Sequence, residues 1–279
     1  MGPLRAELLK ARRSWATTIL IVIVALVELL LGYLVIWLVV QAPAQEGSGF
    51  DEAAQAALLA TLGADALVGN ALAMLAGLGG ALALVLGALM SAREYGWRTV
   101  GALLVQGRSR MAMVAAKVGA LAIVLAVMVV ATFLAAFLGA TVVAAIEGNE
   151  IGFPRLGELV AGLGAGWLIV GAWGAIGLAL GFLLRATGLA IGLGLAYAFV
   201  IELLIAGLSP LSDVVEAIAR GLIGVNAGAL AASFGPELPP GFGGPVLEID
   251  PGLATLVVAA YLVVSLVVAT VVVRARDVT

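Results

Sequence analysis

The sequence contains no cysteine and no histidine, and its only lysines are Lys10 and Lys117. Without cysteine there is neither a disulfide framework nor a thiolate metal site. Without histidine the chain lacks the commonest metal ligand and the commonest general base near neutral pH. An intramembrane serine protease needs a Ser–His pair and a zinc protease needs H-E-x-x-H, so both are excluded. Paired aspartates inside apolar segments, which an aspartyl intramembrane protease requires, are also missing. No G-x-x-x-x-G-K-[ST] phosphate loop is present, so the chain cannot hydrolyse nucleotide by that device. Neither enzymatic activity nor a resident cofactor or metal is expected, and no nucleic acid is expected as a partner.

Charge is scarce as well. Charged residues make up 11% of the chain and hydrophobic residues 63%, against about one quarter and one half in soluble domains. A helix needs about 20 apolar residues to cross the hydrocarbon core. Six stretches meet that length, over about 15–40, 66–90, 118–146, 159–184, 188–208 and 252–273. Leu159 to Leu208 is too long for one crossing, and Arg185 with Thr187 and Gly188 makes a polar turn inside it. The fold class is therefore an all-α polytopic membrane protein with six transmembrane helices.

The few charges divide by side. Arg5, Lys10, Arg12, Arg13, Arg93, Arg98, Arg108, Arg110, Lys117, Arg185, Arg274 and Arg276 fall on alternate connections and at both ends. The opposite connections carry only Arg155 and Arg220 among many acids, including Glu46, Asp51, Glu147, Glu216, Glu248 and Asp250. Basic connections stay in the cytoplasm, which places both termini there. Ala42-Pro43-Ala44 resembles a signal-peptide cleavage site, but the apolar run before it is far longer than a signal core of about 7–15 residues. The first span is expected to be retained. Arginine outnumbers lysine, and Ala, Gly and Val dominate, a usage that suggests a bacterial or archaeal cell membrane.

Three connecting segments are amphipathic. In residues 1–14, Leu4, Leu8, Ala11 and Trp15 share a helical face while Arg5, Lys10, Arg12 and Arg13 cover the rest. This predicts an interfacial helix with its basic side on anionic lipid headgroups, the remainder (15–279) being the six-span domain. In residues 209–251, Leu211, Val214, Val215, Ile218 and Leu222 recur at helical spacing, a second apolar piece follows, and prolines and glycines from Pro236 to Pro245 close the segment. Both pieces are too short to cross, so they predict a helical hairpin on the outer face before the last span. The cytoplasmic connection 91–117 mixes charge with Trp97, Val100, Leu103, Leu104 and Val105. It is too short to span and too apolar for a free loop, and predicts a helix along the membrane surface.

The order Glu94, Trp97, Thr99, Leu103, Leu104, Gly107, Ser109, Arg110, Lys117 resembles the first cytoplasmic loop of type-2 (ABC-2) permeases of ABC exporters. Arg98 departs from that pattern, standing where the family usually has glycine before the threonine. The six spans, cytoplasmic ends, N-terminal amphipathic helix and outer hairpin resemble the same family. The resemblance implies an ATP-driven transporter in which this chain is the permease, working as two permease copies with two ATPase subunits that bind ATP and Mg. It also implies that the 91–117 connection couples to the ATPase, through Glu94, Trp97, Arg98, Thr99, Leu103 and Arg110.

Two carboxylates lie inside spans: Glu28 near the middle of the first and Glu202 in the outer half of the fifth. Such groups are costly in lipid, at about 2.5–3.5 kcal/mol for a central Asp. Both are candidates for a substrate path that takes an amphipathic or cationic molecule. Alternatively, each is protonated and hydrogen-bonds a neighbouring helix. Gly162, Gly166, Gly174, Gly177 and Gly181 share one face of the fourth span, Gly188 and Gly192 open the fifth, and Gly69, Ala73 and Gly77 sit in the second. Such small-residue stripes suit packing within the subunit or a homodimer seam, the latter expected near the outer half. A secondary carrier or channel, and an ABC complex that transmits force without moving a solute, remain as rival functions.

Overall fold

The computed structural model describes residues 2–41, 52–96, 110–148, 152–235 and 247–275, and every regular element among them is helical. Among the described residues, six helices are long and apolar enough to cross a membrane. They are α2 (Trp15–Val40), α4 (Leu67–Ala92, running on to Gly96), α5 (Arg110–Glu147), α6 (Leu156–Leu184), α7 (Thr187–Leu211) and α10 (Pro251–Ala275). The shorter helices are α1 (Pro3–Arg13), α3 (Glu52–Thr61), α8 (Asp213–Ala219) and α9 (Ile223–Ala232). The all-α, six-span architecture expected from hydropathy is the one observed.

Local chemistry sets several of the boundaries. Pro3 sits in the first turn of α1, where its missing N–H costs nothing, and Ser14 turns extended to separate α1 from α2. The Asp250 carboxylate accepts the Leu253 N–H at 2.9 Å and starts α10. At the close of α6, Arg185 takes a left-handed conformation (φ 54°) and its N–H returns to the Gly181 carbonyl at 3.0 Å. That turn ends one span and lets Thr187 begin the next, which resolves 156–211 into two crossings.

The core is the seam between α4 and α6. These helices run parallel, and the glycine face of α6 lies against α4. A side chain at Gly162 would strike Val68, one at Gly177 the Leu84 carbonyl, and one at Gly181 the Ser91 hydroxyl. From the α4 side, Gly87 meets the backbone of Gly174 and Leu178 in the same way. The five glycines of that face therefore pack within the subunit. α5 runs antiparallel across this pair, placing Leu125, Val129 and Phe133 in the core. α2, α7 and α10 form the rim and leave most of their apolar surface uncovered.

The bundle has a basic end, holding α1, the close of α4 and the start of α5. Its acidic end holds α3, the close of α5 and the α8–α9 pair. There, Glu147 accepts hydrogen bonds from Trp37 Nε1 (2.9 Å) and Gln41 Nε2 (3.0 Å), tying the last turn of α2 to that of α5. α8 and α9 meet at 74°. α8 exposes Leu211 just before it, then Val214 and Ile218, whereas α9 buries Ile223, Asn226, Ala227, Leu230 and Ala231. α9 thus dips back into the bundle against α4, α6 and α10.

Three features differ from the sequence reading. The first acidic-end connection contains a helix, α3, which the sequence reading did not identify; its run of Ala, Leu and Gln favours helix strongly. α5 begins at Arg110, eight residues ahead of the apolar span read at 118–146, because Met111 to Lys117 are all adequate helix formers and Lys117 finds partners inside. On α1 the buried positions are Glu7 and Ala11, while Trp15 belongs to α2 and is 82% exposed.

Candidate functional site

α2 is not a uniform α-helix: Glu28–Val35 is wound as a π-helix. The wider winding begins at the buried carboxylate. Gly32, one turn on, leaves room for that carboxylate, since a Cβ there would lie 3.3 Å from its carbon and both oxygens. α4 carries a similar π stretch at Leu75–Gly79, on the facing wall. Such insertions recur at functional sites because they open the helix locally.

Between α2, α3 and α4 lies a cavity of about 530 Å³. It extends from Glu28 and Leu78 near mid-span to Val39 and Leu58 toward the acidic end. Its lining is apolar except for Glu28, Thr61 and Asn70. Thr61 is occupied with the Leu58 carbonyl (2.7 Å), and Asn70 donates to the Thr61 carbonyl (2.5 Å). The Gln55 amide donates to the Val40 carbonyl and pins α3 across the end of α2. Glu28 is fully buried, and neither of its carboxylate oxygens has a hydrogen-bond partner among the described residues. A buried acceptor pair left open in an apolar cavity is the chemistry that a cationic or hydrogen-donating group satisfies.

Glu202 sits in a different environment. It follows the π stretch Tyr197–Ile201 of α7 and is 6% exposed. One of its oxygens accepts the Gly224 N–H at 2.8 Å, so the carboxylate caps the start of α9. Gly224 has no Cβ to obstruct this contact; a side chain there would strike Glu202 and reach Trp173. Trp173 packs against Tyr197, with ring centroids 6.2 Å apart, and Tyr261 donates to the Gly221 carbonyl at 3.0 Å. Inside α9, Asn226 donates to the Arg220 and Leu222 carbonyls at 2.9 and 2.7 Å. The second Glu202 oxygen, Trp173 Nε1 and Asn226 Oδ1 are buried and unmatched among the described residues.

The structure does not bring the two carboxylates together: Glu28 faces the α2–α3–α4 cavity and Glu202 belongs to the α7–α9 joint. Of the residues expected to couple to an ATPase, Trp97, Arg98, Thr99 and Leu103 lie outside the described residues. Glu94 falls in the last turns of α4 and Arg110 opens α5, so both stand at the roots of that connection on the basic end. Asn70 and Trp173 entered no sequence argument. Asn70 was legible as a lone amide in an apolar run; Trp173 was not, because nothing local separates a tryptophan at a joint from one facing lipid.

The sequence model of a family described as "ABC-2 family transporter protein" matches residues 3–201. This interval contains α1 to α6, the first half of α7 and Glu28; it stops just short of Glu202, the hairpin and α10. No curated protein matches the sequence at a significant level.

Proposed function

Because the chain belongs to the ABC-2 transporter family, we propose that it is the permease of an ATP-driven exporter in a bacterial or archaeal cell membrane. Two copies pair with two ATPase subunits, which bind ATP and Mg; this chain supplies the path. The basic end faces the cytoplasm, as the distribution of arginine requires under the positive-inside rule. Glu94, Trp97, Arg98, Thr99, Leu103 and Arg110 form the handle for the ATPase. That role rests on the resemblance of their order to the family's loop and on apolar content that needs a partner surface.

The observation that carries the substrate reading is Glu28, fully buried, without a hydrogen-bond partner among the described residues, and lining an apolar cavity. The exported molecule is amphipathic, its cationic head meeting Glu28 and its apolar body lying along Leu31, Val35 and Met74. Glu202 serves the same path indirectly, by holding α9 over the acidic end of the bundle.

The test is reconstitution with the cognate ATPase in liposomes, reading ATP hydrolysis against a series of quaternary ammonium amphiphiles and their neutral analogues. Cationic members stimulate hydrolysis, and Glu28→Gln raises the concentration needed by roughly 10- to 100-fold, the worth of about 1.5–3 kcal/mol for a charged hydrogen bond. Equal response to neutral and cationic members, in both the wild type and Glu28→Gln, would remove Glu28 from the path.

A further inference from the structure

Lys117 is 1% exposed, inside the first turns of α5. Its ammonium donates to Glu7 Oε2 of α1 at 3.2 Å and to the Met90 carbonyl near the close of α4 at 3.0 Å. Glu7 is itself 8% exposed and uses its other oxygen to accept from Lys10 at 2.7 Å. One cation therefore touches three elements at the basic end: α1, and the two helices that flank the 97–109 connection. Beside it, Leu4 lies over Gly119, 3.1 Å from where a Cβ would stand, and Ala11 completes the buried face of α1.

This arrangement is not needed for adhesion. Two apolar side chains of similar size would pack α1 onto α5 at least as firmly, because burying a charge pair carries a large desolvation cost. What the pair adds is register. If α1 slides by one helical turn, Leu8 replaces Leu4 over Gly119, Glu7 leaves Lys117, and a buried lysine loses its carboxylate. An apolar contact would tolerate that slip. The Met90 carbonyl extends the same constraint to α4, since it is a fixed backbone acceptor near the end of that helix.

We propose that Lys117 is a positioning residue that locks α1 in one register against the ends of α4 and α5, so that the three move as one body at the basic end. That this body carries the ATPase stroke rests on the coupling role proposed above; the register lock does not.

The absence of native cysteine makes the test direct. Full-length permease in liposomes carries either the Leu4→Cys/Gly119→Cys pair or the Leu8→Cys/Gly119→Cys pair, and the rate of oxidative crosslinking is read for each. In the native background the 4–119 pair closes several-fold faster than the 8–119 pair. Lys117→Met erases that preference, and so does Glu7→Leu/Lys117→Met, although the double variant retains its thermal stability because both charges are gone. A merely stabilising role would leave the preference intact in the double variant, and that result would overturn the lock. With the ATPase bound, Lys117→Met raises the ATP hydrolysed per molecule exported, and the 4–119 disulfide restores the native ratio. A slipped register with an unchanged ratio would overturn the transmission role. Failure of the unmodified permease to bind any ATPase would sink the coupling reading while leaving the crosslinking result standing.

Discussion

Glu28 and Glu202 have the same side chain, a place inside an apolar span and a π stretch beside each, yet they end in different situations. Glu202 has a backbone N–H at 2.8 Å to accept, whereas Glu28 has no hydrogen-bond partner among the described residues and lines a cavity. Sequence revealed that both carboxylates lie inside spans, because their flanks are apolar for a full crossing. It could not reveal which one is occupied, since the partner of Glu202 is contributed by Gly224, in a hairpin 22 residues away. The distinction makes opposite predictions for the two. Glu202→Ala leaves the Gly224 N–H unmatched in a buried site and should lower stability by about 1–3 kcal/mol. Glu202→Gln keeps an acceptor and should lose well under half of that. Thermal unfolding in detergent measures both, and equal losses from the two variants would show that the charge, rather than the cap, holds α9. Glu28→Gln should be neutral or slightly stabilising in the same assay, because it removes an unpaired buried charge.

Among the elements, α6 illustrates what hydropathy leaves unsaid. Its residues are apolar on every side, so no polar stripe marks the outward face as it would on a soluble helix. The glycine line marks the inward face: Gly162, Gly166, Gly174, Gly177 and Gly181 lie inward beside buried Trp173, Leu178 and Phe182, while Leu156, Val160 and Trp167 are exposed. In a bilayer that pattern is the expected one, because close backbone approach rather than hydrophobic burial drives helix association. The stripe was readable in the sequence, but whether it faced a helix of the same chain or of a second copy was not. α3 and α9 were harder still; each is short and weakly patterned, and takes its place from contacts with distant segments. The α4–α6 seam gives a direct prediction. Gly177→Val would drive methyl groups into the Leu84 backbone, which has no free rotamer with which to yield. Overpacking of this kind costs about 1–3 kcal/mol or more. Gly192→Val, on an open face of α7 with nothing within 4 Å, should leave the melting temperature of the monomeric permease unchanged. Matching losses at the two sites would place α7 against another part of the same chain.

For the whole molecule, the number of crossings was the most legible feature, since it follows from run length alone; their polarity is an expectation from arginine placement. With the basic end in the cytoplasm, a cysteine at Glu248 should react with an impermeant maleimide in intact cells, and one at Arg12 only after permeabilisation; the reverse pattern would invert the topology. Assembly is a separate matter, and the uncovered surfaces address it. α2, α7 and α10 all present leucine and valine outward, which lipid satisfies as well as protein does. α7 differs in one respect: Gly188, Gly192 and Ala196, spaced four apart, are exposed along one line, and nothing approaches the two glycines. On α6 the comparable stripe is fully covered; on α7 it is bare. A small-xxx-small line gains most when a second backbone lies against it, and lipid tails cannot provide that fit. In a two-fold dimer built on this line, each residue near the axis meets its own copy. Gly192→Cys should therefore form disulfide-linked dimers in native membranes under mild oxidation, and Gly192→Leu should shift the purified permease toward monomer by native mass spectrometry. The seam then lies at the basic half of α7, closer to the ATPase side than the outer-half position expected from sequence. Crosslinks from Val264→Cys on α10, with none from position 192, would move the seam to α10.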